Sequence, residues 1–292
     1  MAREGGQQRA ERRAAWALLA PALAATSGIA LFPLAWTVWE SLHRHDLRLP
    51  WLGRPFVGGA NYLEIARDGR FWEALLHTVL FTAVSVGLEL GLGLALALAM
   101  NRTFRGRGLL RAAVLVPWAI PTVVAALLWR FLFDPQSGIA GHRVWLAEAA
   151  TAWVPIVLAD VWKTTPFVAL LLLAGLQGID PALHEAAAVD GAGAWLRLWR
   201  ITLPLLRPAL LVALVFRSLD AFRVFDLIYV LTGGGPGTAT EPLALYAYDA
   251  LFANLRFGYG AALSVMVFLA AFAVGLVQIR ALRRDLEAED RP

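Results

Sequence analysis

Apolar blocks of about twenty residues, separated by shorter polar and charged stretches, set the rhythm of this chain. A helix rises about 1.5 Å per residue, so each block is long enough to cross a hydrocarbon layer of ~30 Å. Six runs are read as transmembrane helices, at about 16–38, 78–100, 110–133, 153–175, 204–224 and 258–279. Each is rich in Ala, Leu and Val, and most are bordered by Arg, Trp or Pro. The expected fold is an all-α, polytopic membrane protein. Residues 1–15 and 281–292 form its tails and 39–77 a segment after the first span. The core then occupies 78–280, with five spans and a polar loop at 178–204. Ala22-Leu23-Ala24 looks like a cleavage site after a basic start, but the apolar run continues to about Trp39. That is longer than the apolar region of a secretion signal, so the first span is expected to remain as an anchor.

Composition supports the membrane reading. The 292 residues are 59% hydrophobic and 16% charged, against about 45–50% and about 25% in soluble domains. Mean hydropathy is +0.61. The absence of cysteine excludes disulfides and thiolate metal sites. His43, His45, His77, His142 and His184 show no paired spacing for a metal. No Ser–His–Asp arrangement is apparent, so neither catalytic nor metal residues are assigned.

Of the 26 basic residues, 25 are Arg and one is Lys163. No long basic tract stands apart from the apolar runs, so the charge reads as membrane-flanking and nucleic acid is not an expected partner. With the N-terminus in the cytoplasm, the inside segments hold 15 Arg and the longer outside segments eight. Both termini are therefore expected in the cytoplasm of a prokaryotic cell, with the chain in its inner membrane.

Ionisable residues within spans each cost about 2.5–3.5 kcal/mol at the bilayer centre on insertion scales, so they should face protein or water. Glu89 lies in the second span, Asp160 and Lys163 in the fourth, and Arg217, Asp220 and Arg223 in or near the fifth, followed by Asp226. They fit a polar lining for a hydrophilic solute, or interhelical ion pairs such as Lys163 with Asp220 or Glu89. In Asp160-Val-Trp-Lys-Thr-Thr-Pro-Phe167, Pro166 removes a helix hydrogen bond, and Thr164 and Thr165 can bond freed carbonyls. An opened helix with a cation, hydroxyls and rings suits sugar recognition; a packing kink fits equally well. Gly87, Gly91, Ala95 and Ala99 form a small-residue stripe suited to close packing, within this chain or against a partner. Thr232-Gly-Gly-Gly-Pro-Gly237 reads as a tight external turn.

The polar loop is the most specific signal. Asp180-Pro181 starts a helix, Asp as cap and Pro at the first position. A short helix over Leu183–Val189 is then broken by Asp190-Gly191-Ala192-Gly193. Trp195–Leu203 reads as a second short helix with Arg197 and Arg200 exposed, and Pro204 opens the fifth span. The pattern is Glu185-Ala186-Ala187, three residues, Gly191, nine residues, then Ile201-x-Leu203-Pro204. It resembles the EAA loop of binding-protein-dependent ABC-transporter permeases, the cytoplasmic segment gripped by an ATPase subunit. An ordinary amphipathic surface loop is the alternative. The chain has no G-x-x-x-x-G-K-[ST] loop, so by that route it hydrolyses no ATP itself.

Further segments resemble the MalF-like sugar-permease branch, closest to trehalose/maltose permeases. They are Phe56-Val57-Gly58 with Asn61-Tyr62, Arg111–Pro121 with Leu115-x-Pro117, Val161–Phe167, Phe216–Asp226 and Leu231–Pro236. The resemblance implies a type I importer fold and a permease for a di- or oligosaccharide, trehalose- or maltose-like. It implies four kinds of partner: a second homologous permease, two ATP-binding subunits carrying ATP and Mg, an extracytoplasmic solute-binding protein, and the sugar itself. The lipid bilayer surrounds them. Coupling residues carried over are Glu185, Ala186, Ala187, Asp190, Gly191, Ala192, Ile201, Leu203 and Pro204. Those of the solute path are Lys163, Thr164 and Phe167 on the fourth span and Arg217, Asp220, Ala221 and Val224 on the fifth. An importer of another solute, such as glycerol phosphate, phosphate or a polyamine, is a rival reading, and the basic Lys163, Arg217 and Arg223 leave an anionic sugar derivative open. A proton-driven carrier using Glu89 and Asp220 as relays is a reading of another class.

Overall fold

The computed structural model describes residues 2–289, with side chains for 12–280. Arg3, Arg9, Arg283, Arg284 and Arg291, which enter the orientation count, lie outside the described side chains. Among the described residues every long element is helical, because a backbone in hydrocarbon must satisfy its hydrogen bonds internally. In order they are α1 (Ala2–Ser41), α2 (Ala60–Arg67), α3 (Gly69–Asn101), α4 (Arg107–Ala119), α5 (Thr122–Leu132) and α6 (Trp153–Gln177). There follow α7 (Pro181–Val189), α8 (Ala194–Arg197), α9 (Leu203–Phe222), α10 (Asp226–Leu231), α11 (Leu243–Tyr248) and α12 (Phe257–Glu289). Five described stretches are long and apolar enough to cross a bilayer: Arg12–Ser41, Gly69–Asn101, Trp153–Gln177, Ala194–Phe222 and Phe257–Arg280. The α4–α5 pair makes a sixth, bent by 95°.

Three elements differ from the sequence reading. The second span begins at Gly69 rather than near residue 78, capped by Asp68, whose Oδ1 accepts from Arg70 N at 3.0 Å. The third is not one rod: Ile120 and Pro121 are extended, at ψ 131° and 140°, and the axis turns there. Proline lacks an N–H and disfavours a helical residue before it, which breaks the run. The fifth does not open at Pro204. Helix is continuous from Ala194 through a π turn at Leu198–Thr202, where Leu203 N–H bonds Leu198 O, into α9. Widening the turn lets the proline enter without breaking the axis.

The chain divides into two compact units. One runs to Arg67 and includes Ala247–Met266; the other runs from Asp68 to Tyr246 and resumes at Val267. In the first, Asn61 Nδ2 donates to Ser41 O at 2.7 Å and His43 O at 3.0 Å, tying α2 to the end of α1. Glu40 there is buried and takes His45 and Arg54. The second holds a buried apolar core, where α3, α6 and α9 pack through Ala97, Met100, Val168, Ala169, Leu172, Leu206 and Ala213. A Cβ on Gly93 would lie 2.6 Å from Val168, and one on Gly175 would lie 2.6 Å from Ala209. The close-packing stripe of α3 is therefore Ser85, Glu89, Gly93 and Ala97, all buried. The expected stripe of Gly87, Gly91, Ala95 and Ala99 is exposed, and added Cβ atoms at Gly87 and Gly91 would meet nothing. The glycine-rich 232–237 segment is a tight turn, with φ of 62° at Gly233 and 85° at Gly234.

Candidate functional site

The loop between α6 and α9 folds as its capping residues dictate. Asp180 Oδ1 accepts from Ala182 N at 2.9 Å and Pro181 takes the first position of α7. The helix carries Glu185, Ala186 and Ala187, with Glu185 and Ala186 exposed. It ends where Ala192 N–H bonds Ala187 O at 2.8 Å, which needs Gly191 at φ +82°. Asp190 and Ala192 flank that glycine. Glycine takes this left-handed conformation at little cost, whereas other residues lose about 1–2 kcal/mol. The chain then turns into α8, and Arg197 Nη1 donates to His184 O at 3.3 Å, bracing one arm on the other. Ile201 sits in the π turn and Leu203 and Pro204 lie just beyond it in the continuing helix, Pro204 exposed and the other two half-buried.

A cleft of about 630 Å³ lies in the angle of this bent element, lined by Asn101 and Arg102 of α3 and its end, Glu185, Trp195 and Arg197. Val189 is 88% and Trp195 71% exposed. With Leu183, Leu196 and Trp199 also exposed, the bend presents an apolar surface suited to a complementary groove.

A second site lies within the spans. Arg217 on α9 is 2% exposed and Glu89 on α3 is fully buried. Arg217 Nε donates to Glu89 Oε2 at 2.5 Å and Nη2 to Oε1 at 2.7 Å, a bidentate fork. Its Nη2 also reaches Asp160 Oδ2 on α6 at 3.3 Å, and Nη1 donates to Asp220, three residues further on. Thr164 Oγ1 lies 2.6 Å from both Glu89 Oε1 and Asp160 O, so its single proton is shared between them. One guanidinium thus binds α3, α6 and α9 together.

Asp220 stays 63% exposed because it faces a cavity of about 400 Å³. Thr164 and Phe167 of α6, Phe216, Arg217 and Asp220 of α9, and Trp118 of α4 line it, with Arg223 at its edge. The Trp118 and Phe167 rings stack at 6.0 Å. The cavity offers a flat aromatic face beside a carboxylate and a guanidinium, the chemistry that a polyhydroxylated solute meets well.

Four of the seven expected path residues, Thr164, Phe167, Arg217 and Asp220, come together here. Ala221 and Val224 are buried in packing, 2% and 8% exposed, and do not line the cavity. Lys163 pairs with neither Asp220 nor Glu89: its Nζ donates to Ile120 O at 2.7 Å. The carboxylates it was expected to meet are held by Arg217. Nor does Pro166 open α6, which runs unbroken from Trp153 to Gln177. Thr164 and Thr165 hydroxyls bond Asp160 and Val161 carbonyls, four residues back, rather than the freed carbonyl of Trp162. Trp118 and Phe216 were not singled out from the sequence. The Pro117–Pro121 spacing around Trp118 was the available sign that this ring stands at a corner.

Among the described residues no group of three His, Cys, Asp or Glu could hold a metal. Residues 90–285 match the profile of the family described as binding-protein-dependent transport system inner membrane component. The chain is 43% identical over 287 residues to the trehalose/maltose transport system permease protein MalF of Thermococcus litoralis, covering 94% of this chain and 96% of that one. It is 44% identical over 280 residues to the trehalose transport system permease protein SugA of Mycobacterium tuberculosis, covering 94% and 90%. A subunit in the crystal structure of a bacterial importer of the acidic polysaccharide alginate superposes with a TM-score of 0.83 at 22% identity, over 96% of this chain and 99% of that one.

Proposed function

The chain belongs to the family of binding-protein-dependent transport system inner membrane components, and from that premise we propose that it carries a di- or oligosaccharide of the trehalose or maltose type through the membrane. The observation that supports this most is the cavity between α4, α6 and α9, where the Trp118–Phe167 stack stands beside Arg217 and Asp220. Aromatic faces pack on the apolar side of a sugar ring, and the exposed Asp220 carboxylate, held in place by Arg217, accepts hydrogen bonds from its hydroxyls. The similar permeases are named for trehalose and maltose transport.

The chain works as a subunit: a second homologous permease completes the pore, two ATPase subunits bind ATP and Mg, and an extracytoplasmic binding protein delivers the solute. Both termini face the cytoplasm, which places the 178–204 loop where the ATPase reaches it. Closure of the ATPase pair moves the bent element of α7 and α8. Because helix is continuous from Ala194 to Phe222, that movement is transmitted along α9 to Arg217 and Asp220 as one rigid body. A proton relay through Glu89 is disfavoured, since its carboxylate already takes two guanidinium bonds and the Thr164 hydroxyl.

Proteoliposomes holding the complete assembly, given the binding protein with labelled trehalose or maltose, test the reading. ATP-dependent accumulation that Asp220→Ala reduces by about ten-fold or more is expected, the loss of a charged hydrogen-bonding group from the path. Accumulation that follows an imposed proton gradient without ATP would contradict it.

A further inference from the structure

We propose that Lys163 is a positioning residue: it latches the broken α4–α5 span onto α6 and thereby sets Trp118 as one wall of the solute cavity. The inference rests on the cavity being part of the solute path, and it assigns Lys163 no contact with the solute.

The break creates a need that Lys163 meets. At Ile120–Pro121 the backbone is extended between two helices, so carbonyls at the end of α4 lose their partners in the next turn. A polar backbone group left bare at membrane depth is costly. Lys163 Nζ donates to Ile120 O at 2.7 Å, placing a cation at the negative end of α4. The nearby carboxylates do not compete for it, since Glu89, Asp160 and Asp220 converge on Arg217.

The same face of α6 makes a second contact with that corner. Phe167 lies four residues beyond Lys163, one turn along the helix. Its ring receives Trp118, two residues before Ile120. Trp118 is 49% exposed and lines the cavity together with Asp220. Lys163 holds the backbone of the corner and Phe167 holds its side chain. Removing the first grip frees the corner to swing about the Ile120–Pro121 joint, taking the aromatic wall with it.

The chain has no native cysteine, so a single introduced thiol is the only one labelled on this subunit, read on its own band after the assembly is separated. Leu219 lines the cavity. In the assembled transporter in membranes, without solute or ATP, the rate at which a small water-soluble thiol reagent modifies Leu219→Cys is measured. Lys163→Met is expected to raise that rate about ten-fold, the order of effect one charge-assisted hydrogen bond carries. Lys163→Arg, which keeps a charged donor of similar reach, returns it toward the parent value. Trp118→Ala alone gives a similar rise, and adding Lys163→Met to it gives no more, because the lysine acts through the tryptophan. Should Lys163→Met fail to assemble, Lys163→Gln is read by the same rule. An unchanged rate in the lysine variant, or effects of the two substitutions that multiply, would overturn the proposal. Because labelling needs no transport, a wrong solute assignment leaves its outcome untouched.

Discussion

A guanidinium in the middle of a membrane span persists only if its surroundings take up the protons it offers, and Arg217 has three carboxylates for the purpose. Buried pairs of this kind add little net stability over an apolar isostere, but losing one partner leaves a bare charge and costs about 3–5 kcal/mol. Glu89→Ala is therefore expected to lower the unfolding midpoint of the purified assembly clearly. The triple change Glu89→Leu, Asp160→Asn and Arg217→Met, which leaves no bare charge buried in the cluster, should recover most of that midpoint in a thermal scan while uptake stays low. Asp220→Ala, by contrast, removes an exposed group and should leave the midpoint near its parent value while uptake falls. The sequence marked Glu89, Asp160, Lys163, Arg217 and Asp220 as the costly residues, because charge inside an apolar run is visible without a structure. It did not show who pairs with whom. That depends on helix rotation and side-chain reach: Glu89 faces α6 and α9 from the buried stripe of α3, and the shorter path to it belongs to Arg217.

At the scale of elements, caps and turns were legible and interruptions were not. Asp180-Pro181 and Gly191 mark the ends of α7 by local chemistry alone, and the structure puts the cap and the left-handed glycine there. Gly191→Leu has open space for its side chain but must adopt φ near +82°. That strain, about 1–2 kcal/mol, should re-aim α7 against α8 without unfolding any span. Membrane insertion and ATPase binding are expected to persist while ATP-driven uptake drops; uptake at the parent rate would contradict a handle role for the bend. Proline gave mixed guidance because its effect depends on what surrounds it. Pro121 breaks a span by 95°, Pro166 leaves α6 whole, and Pro204 is absorbed by a π turn. The small-residue stripe of α3 at Gly87, Gly91, Ala95 and Ala99 packs against nothing among the described residues, which leaves it free for a partner, while the close contacts inside the chain fall on the Ser85–Ala97 face.

Taken as a molecule, the chain joins two sites of different character by one unbroken helix, the bent element at Ala194 and the charged cavity at Arg217 and Asp220. The proposed function requires that a separate ATPase moves the spans by gripping the α7–α8 bend. A single cysteine at the exposed Ala188, in a chain that otherwise has none, tests it by oxidative cross-linking to a cysteine in the cleft of the partner ATPase. A cross-link that stops ATP-driven uptake and is relieved by reductant is expected. A thiol at position 188 that reacts only with impermeant reagent from outside the cell, with uptake indifferent to oxidation, would contradict it.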